Sequence, residues 1–514
     1  MALAPADPMS VPERPPALRQ QVLAGIGWSM LQIWGSRILT FVVFIVLARL
    51  LVPADFGSVT LGYVIFATLA TLPEGGLSDV LIRRPHNEPG HLDTAFWVMV
   101  SGALLIYAAT AVAAPYVARA LEQPRLTNVL LLLGLTLPLN ASGFVHEALL
   151  RRSMNFRPLA MRTLVATSVG GVVAIALAFA GFGYWSLVVK GLFDTTVSTV
   201  LLWRASPYRP RLNVSWRCWS ELFAVSRYLL LSRVLDLANT RADSLVVGVR
   251  LGSEALGLYT AAHRIHSMMM EALFATVNRV TLPAFAKLNH DALRMQRGLL
   301  RLIAFCSFFT VPLFAAVAVL AEPIVLLLFG ERWREAAPLL SAFGFGGVLF
   351  SVSFFNAPVM TAAGRTGLVL VLTVVNGVLN LLGFFIGSYW GALGVAIAFS
   401  LRGYLVLPLN LVFLKRSIGV ATGAYLKTLW PSYAAAAIAF GAVFMLQRFL
   451  PPAWPLFVQL PLQFAAGALL YAALMLIVFP RRTIEVVGEV EQWRPGWPRL
   501  TPALERFAAR TGRG

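Results

Sequence analysis

Between Leu222 and Val249 the chain reads FAVSRYLLLSRVLDLANTRADSLVVGV in its bulk, long and apolar enough to cross a bilayer as a helix. A crossing takes about 20 residues at a rise near 1.5 Å each. Yet this stretch holds Arg227, Arg233, Asp236, Arg241 and Asp243. An ionisable group at a helix centre costs about 2.5–3.5 kcal/mol on insertion scales, so five cost on the order of 13–18 kcal/mol. Roughly a dozen Leu, Val and Phe residues return only about 4–8 kcal/mol. A helix with that balance cannot face lipid all round. It must border a watery cavity or set its charges against partners, so the fold must be a bundle with a wet interior.

The rest of the chain supplies the bundle. Apolar residues make up 58% and charged residues 13%, with a mean hydropathy of +0.75, which predicts an all-α polytopic membrane protein. Fourteen apolar segments can be marked from Val22 to Phe479, among them Phe56–Ile82, Leu126–Leu150 and Ala336–Met360 as the second, fourth and tenth. The formal charge of +19 does not read as nucleic-acid binding, because the basic residues sit mostly between apolar segments rather than on one soluble face. Two cysteines, Cys218 and Cys306, exclude a disulfide framework and a thiolate metal site. The first twenty residues have no apolar core of signal-peptide type.

Counting Lys and Arg near segment ends, 27 fall on the side of the N-terminus and 7 on the other. The positive-inside rule therefore puts both termini in the cytoplasm. The remaining 8 basic residues lie within segments: Arg37, Lys190, Arg227, Arg233, Arg241, Arg264, Arg279 and Arg402. An internal repeat spaced about 200 residues is also visible. ARLLVPADFGSV (Ala48–Val59) resembles VRLGSEALGLY (Val249–Tyr259) with a one-residue gap. Both junctions fall on the same side, as expected for parallel six-helix repeats enclosing a midplane site.

Several stretches together resemble a known family: LARLLVPADFG (Leu47–Gly57), LIRR (Leu81–Arg84), DTAFWV (Asp93–Val98), LLRRSMNFRPLA (Leu149–Ala160), GFGYWSLV (Gly181–Val188), DSLVVGVRLGSEALGLYTAAHRI (Asp243–Ile265) and LLFGERW (Leu327–Trp333). The chain is similar over roughly residues 20 to 480 to the polysaccharide-transport (O-antigen and exopolysaccharide repeat-unit) flippases of the multidrug/oligosaccharidyl-lipid/polysaccharide exporter superfamily. The resemblance implies two six-helix lobes plus two C-terminal helices around a central cavity. It also implies alternating access that carries an undecaprenyl-diphosphate-linked oligosaccharide from the cytoplasmic to the periplasmic leaflet of the bacterial inner membrane. The expected layout is a disordered N-tail 1–20, an N-lobe 21–205, a cytoplasmic linker 206–218, a C-lobe 219–415, helices 13 and 14 over 416–480, and a basic C-tail 481–514. Implied partners are the lipid-linked oligosaccharide and the bilayer, with a proton or sodium ion, a polysaccharide polymerase and export machinery as further candidates. No cofactor is expected.

Arginine suits a diphosphate because its planar fork donates two parallel hydrogen bonds and stays charged. Arg37, Arg227, Arg233, Arg241, Arg264 and Arg402 are the candidate substrate-binding residues. At 100° per residue, Arg227 and Arg241 fall within about 40° of each other, and Asp236 and Asp243 on the roughly opposite face. Arg227 and Arg241 are thus expected as free cavity cations, and Arg233, three residues before Asp236, as its partner. Glu74, Asp79, Asp236, Asp243 and Glu271 are the candidate ion-coupling carboxylates. Glu271 either carries a proton or neutralises an arginine. Lys190 and Asp194 read as an i, i+4 pair, Arg279 as snorkelling to headgroups, and His263 and His266 as lacking a third metal ligand in sequence.

Phosphate-cradling loops, HExxH, GxSxG and paired catalytic carboxylates are missing from the sequence, so an enzyme is not expected. Alternatives are a multidrug or cation antiporter of the same superfamily and a peptidoglycan lipid-precursor flippase. Arg37, with no acid on the first segment, argues against cationic drugs.

Overall fold

The computed structural model describes residues 18–74, 76–84, 88–289, 291–449, 454–493 and 501–510; the side chains of Asp236 and Arg279 lie outside the described set. α1 (Leu18–Leu50) forms the first crossing and α2 (Pro53–Glu74) with α3 (Leu77–Arg83) the second. α4 (Pro89–Ala120), α5 (Arg125–Gly134) with α6 (Thr136–Arg152), α7 (Phe156–Phe179) and α8 (Trp185–Ala205) complete six. The second six begin with α9 (Trp216–Arg250), α10 (Gly252–Ala286) and α11 (Ala292–Val319), followed by the short α12 (Ala321–Phe329). α13 (Ala336–Ser353) with α14 (Asn356–Ala362), α15 (Thr366–Gly387) and α16 (Gly391–Ile418) finish them. α17 (Thr422–Leu446) and α18 (Leu456–Ile477) are the added pair, and α19 (Pro480–Trp493) and α20 (Thr501–Arg510) follow.

Among the described residues, ten stretches qualify as crossings on length and hydropathy, one of which, Thr366–Ile418, contains both α15 and α16. Polar and ionisable side chains keep α9 and α10 off that count, and α13 contributes only the shorter apolar run Ala336–Phe350. Counted with α9, α10 and α13, the described helices correspond to the fourteen apolar segments marked in the sequence. Apolar side chains such as Leu105, Val112 and Leu469 stay exposed along the outside, which suits a lipid-facing surface.

Several segments are less continuous than expected. The second breaks at Gly76, whose φ of 76° is a left-handed conformation that glycine adopts without a Cβ penalty. The fourth breaks near Leu135 and the tenth near Phe354. α12 lies in what the sequence left as a connector. α1 starts inside the stretch read as N-tail, α9 starts inside the stretch read as linker, and part of the expected C-tail is helical. Asp291 caps α11, its carboxylate accepting the Arg294 N–H at 3.0 Å.

The two halves repeat one packing pattern. α1 lies on α7, α7 on α8 and α4 on α6; correspondingly α9 lies on α15, α15 on α16 and α11 on α13. The halves meet along α2 and α10. Here a Cβ placed on Gly57 would come within 1.6 Å of the Ser253 carbonyl oxygen, and one on Gly257 within 1.9 Å of the Pro53 oxygen. The reciprocal contact pairs positions 200 residues apart, so the repeat in the sequence is also the seam between the halves. Flanking bonds follow the same symmetry. Trp333 Nε1 donates to the Ala48 oxygen at 2.7 Å, and Gln123 Nε2 to the Gly248 oxygen at 3.1 Å. Arg49 donates to the carbonyls of Leu327 and Leu328, placing a cation at the C-terminal end of the α12 dipole.

On the other face, where the basic-rich connectors lie, α9 meets α3 and α4. Glu221 accepts from Arg84 at 2.5 Å, lies 3.3 Å from His91 Nε2, and accepts from Arg217 at 3.3 Å. Hydrogen bonds from Arg84 first, then His91 and Arg217, hold its carboxyl down to about 2. A carboxylate depressed on folding adds stability that is fully present above its unfolded value and is lost as pH falls through the folded one. Glu221→Gln should therefore lower the melting temperature by a similar amount at every pH from 5 to 8. A deficit that vanishes at pH 5 would contradict this.

Candidate functional site

A cavity of about 820 Å³ lies between α1 and the second half of the molecule. α1 contributes Arg37, α9 Arg241 and Asp243, α10 Arg264 and Glu271, and α16 Arg402. Four guanidinium groups face two carboxylates, leaving two positive charges in excess with His263 neutral.

Each charge has a distinct setting. Arg37 Nε bonds Glu271 at 3.0 Å, so the two side chains form an ion pair across the cavity. Arg402 is 8% exposed, donates to Asn380 Oδ1 at 2.7 Å, and lies over Phe399 at 5.2 Å and Phe350 at 5.6 Å. Arg264 lies over Phe44 at 4.9 Å. Arg241 makes no salt bridge to a described carboxylate and is exposed toward the cavity. Arg37 Nη1 and Arg402 Nε are buried and donate to no group of the described protein. Buried guanidinium N–H groups of this kind favour an anionic acceptor.

Asp243 corrects the expected helix faces. It lines the same cavity as Arg241 rather than pointing away, because α10 packs beside α9 and the cavity reaches into the groove between them. Asp243 is itself occupied, accepting from the Ser244 N–H at 2.6 Å and the Tyr259 hydroxyl at 2.9 Å. His263 lies parallel to Tyr259 and edge-on to Phe343 and Phe399, an aromatic setting.

Four candidates lie elsewhere: Arg227, Arg233, Glu74 and Asp79. Arg233 bonds Glu74 at 2.6 Å and Asp79 at 2.8 Å, carboxylates that stand more than 150 positions away in sequence. The expected partner Asp236 has its side chain outside the described residues. Glu74 and Asp79 thus join the first half to α9 through Arg233. Arg227 is exposed, is not among the residues lining the cavity, and is not without a partner, so it is not the free cavity cation that its spacing suggested. Lys190 and Asp194 form the expected ion pair.

The uncharged polar lining was not foreseen from the sequence: Ser36, Thr40, Thr240, Thr260, Ser267 and Asn380. Asn380 carried a signal, as an amide inside an otherwise apolar crossing that must be satisfied internally. The threonines and serines carried none, since their hydroxyls can bond their own helix.

A two-lobed helical bundle around a charged interior defines a multi-pass membrane protein of transporter type. The chain belongs to the polysaccharide biosynthesis protein family, whose model matches residues 46–338, so the resemblance to polysaccharide-transport flippases holds. It is 28% identical over 496 residues to the succinoglycan biosynthesis transport protein ExoT of Rhizobium meliloti (strain 1021), covering 94% of this chain and 97% of that one. It is 25% identical over 422 residues to the lipopolysaccharide biosynthesis protein WzxC of Escherichia coli (strain K12), covering 80% and 85%. In fold it is similar to the lipid II flippase MurJ in an inward closed conformation, with a TM-score of 0.71, 16% identity, and coverage of 89% and 100%. An inward-facing multidrug resistance MATE family transporter matches with a TM-score of 0.55 at 16% identity, covering 79% and 99%.

Proposed function

We propose that the chain is a flippase that moves polyprenyl-diphosphate-linked oligosaccharide repeat units from the cytoplasmic to the periplasmic leaflet of a bacterial inner membrane by alternating access. The basic-rich face is then cytoplasmic, and the protein works as a carrier rather than an enzyme. The observation that carries this reading is the cavity's excess of two positive charges, borne by arginines on both sides of the gap between the halves. A diphosphate diester carries about two negative charges, and paired guanidinium forks fit its oxygens. The transport and biosynthesis roles in the relatives' names agree with it.

The membrane potential supplies a drive. An inside-negative potential favours outward movement of an anion by about 2.3 kcal/mol per charge per 100 mV across the full field. Fixed cavity cations lower the cost of carrying that charge through the low-dielectric middle. The prenyl tail stays in lipid while the head crosses. The acids Asp243 and Glu271 each already hold a partner, which favours a potential-driven carrier over one that takes up a proton or sodium ion at these sites. Deletion of the gene should leave lipid-linked repeat units accumulated on the inner leaflet. Unchanged surface glycan, in a strain without a paralogue, would overturn the proposal.

A further inference from the structure

A second, smaller chamber of about 310 Å³ adjoins the cavity inside the first half of the molecule, at the small end of the range of about 300–1,000 Å³ for ligand pockets. α1, α2 and α8 wall it, and α10 closes it. Thr40, Thr260 and Arg264 line both spaces, so the two meet at the Arg264 guanidinium.

Their chemistries differ. The cavity has excess positive charge, whereas in the chamber Lys190 and Asp194 cancel each other one turn apart on α8. What remains, apart from the shared Arg264, is a set of hydroxyls on Thr40, Thr60, Thr260 and Tyr63, beside the rings of Phe44 and Phe56 and the aliphatic side chains of Val43, Leu47, Val59 and Leu187. Tyr63 lies well inside α2, yet 42% of its surface is exposed, and it lines the chamber. Its hydroxyl rests against Gly191, where a Cβ would come within 1.9 Å, so the ring is held in place by α8. Hydroxyl donors and acceptors next to aromatic faces suit a polyol with apolar C–H faces better than they suit a second phosphate.

Connectivity adds a second constraint. In a sugar joined directly to a diphosphate, the ring is one bond from the phosphate oxygens. A sugar subsite must therefore share a wall with the phosphate site, and Arg264 is that wall. Resting on the diphosphate reading above, we infer that this chamber receives the first sugar of the lipid-linked substrate, with Thr60 and Tyr63 as specificity-determining residues.

The test uses the full-length protein in nanodiscs, titrated with farnesyl diphosphate and with its glucosyl, galactosyl and N-acetylglucosaminyl derivatives. Wild type should bind at least one glycosyl derivative fivefold or more tighter than the bare diphosphate. Thr60→Val and Tyr63→Phe, which remove hydroxyls but keep shape, should erase that preference and leave the bare diphosphate's affinity unchanged. Unchanged affinity for the bare diphosphate also shows that the variants are folded. Equal binding of all probes by wild type, or a preference that survives both substitutions, overturns the sugar subsite and leaves the diphosphate reading standing. If wild type fails to bind the bare diphosphate, that reading falls, and the subsite with it.

Discussion

Replacing Gly57 with alanine should open the molecule along the seam of α2 and α10. The added Cβ would lie 1.6 Å from the Ser253 carbonyl oxygen, part of a helix backbone that cannot rotate away as a side chain would. The two helices must then separate by more than an ångström, which breaks the symmetric contact and strains the flanking Trp333 and Gln123 bonds. Overpacking of this kind costs about 1–3 kcal/mol, enough to shift a closed–open equilibrium by roughly five- to a hundred-and-fiftyfold. The readout is a single cysteine at Thr260, which lines both chambers, in a background lacking Cys218 and Cys306. A membrane-impermeant thiol reagent added from the α2–α10 face should label it at least fivefold faster in Gly57→Ala. Gly257→Ala should behave alike, being the same position in the repeat. Gly441→Ala, where a Cβ meets nothing within 4 Å, should match wild type. Unchanged labelling in Gly57→Ala would mean that the seam does not seal the cavity.

The second large effect lies at Arg241. Among the cavity arginines it has neither a described carboxylate partner nor an aromatic face beneath it, so its fork is the one most available to a ligand. A hydrogen bond to a charged group contributes about 1.5–3 kcal/mol, and each 1.4 kcal/mol is about tenfold. Arg241→Ala should thus reduce repeat-unit export roughly ten- to a hundredfold without lowering the amount of protein in the membrane. Arg241→Lys should fall between, because it keeps the charge and loses the fork. Arg37→Ala should have a compound effect, since it also strands Glu271 in the cavity. Export unaffected by Arg241→Ala would remove this residue from the clamp.

What the sequence revealed and what it concealed divide along the range of the interactions. Hydropathy and the distribution of basic residues are local properties summed over twenty residues, and they located the crossings. The repeat was legible because the seam reuses a short motif in which Gly57 and Gly257 each need the absence of a side chain. The cavity charge was legible at Arg37, Arg241, Arg264 and Arg402, because an arginine deep in an apolar segment has few other places to go.

The local pair Lys190–Asp194 was legible from its spacing, but pairings between segments were not. Arg233 has an acid three residues away on its own helix, but the contacts described reach Glu74 and Asp79 in the first half, which spacing along α9 does not reveal. A helical wheel put Asp243 on the far side from Arg241, and it could not know that Tyr259 of α10 would draw that carboxylate to the cavity edge. Arg227 failed for a similar reason: angular position on a helix does not fix depth along the cavity axis. The break at Gly76 was hidden because one glycine in an apolar run does not announce its φ.

The most direct test of a cationic chamber built for a diphosphate is the affinity of the nanodisc-embedded protein for farnesyl diphosphate compared with farnesol, measured in wild type and in Arg241→Ala. Wild type should bind the diphosphate at least a hundredfold more tightly than the alcohol, with affinity falling as salt rises, and Arg241→Ala should lose most of that advantage. Equal affinity for diphosphate and alcohol in wild type would contradict the assignment of the cavity.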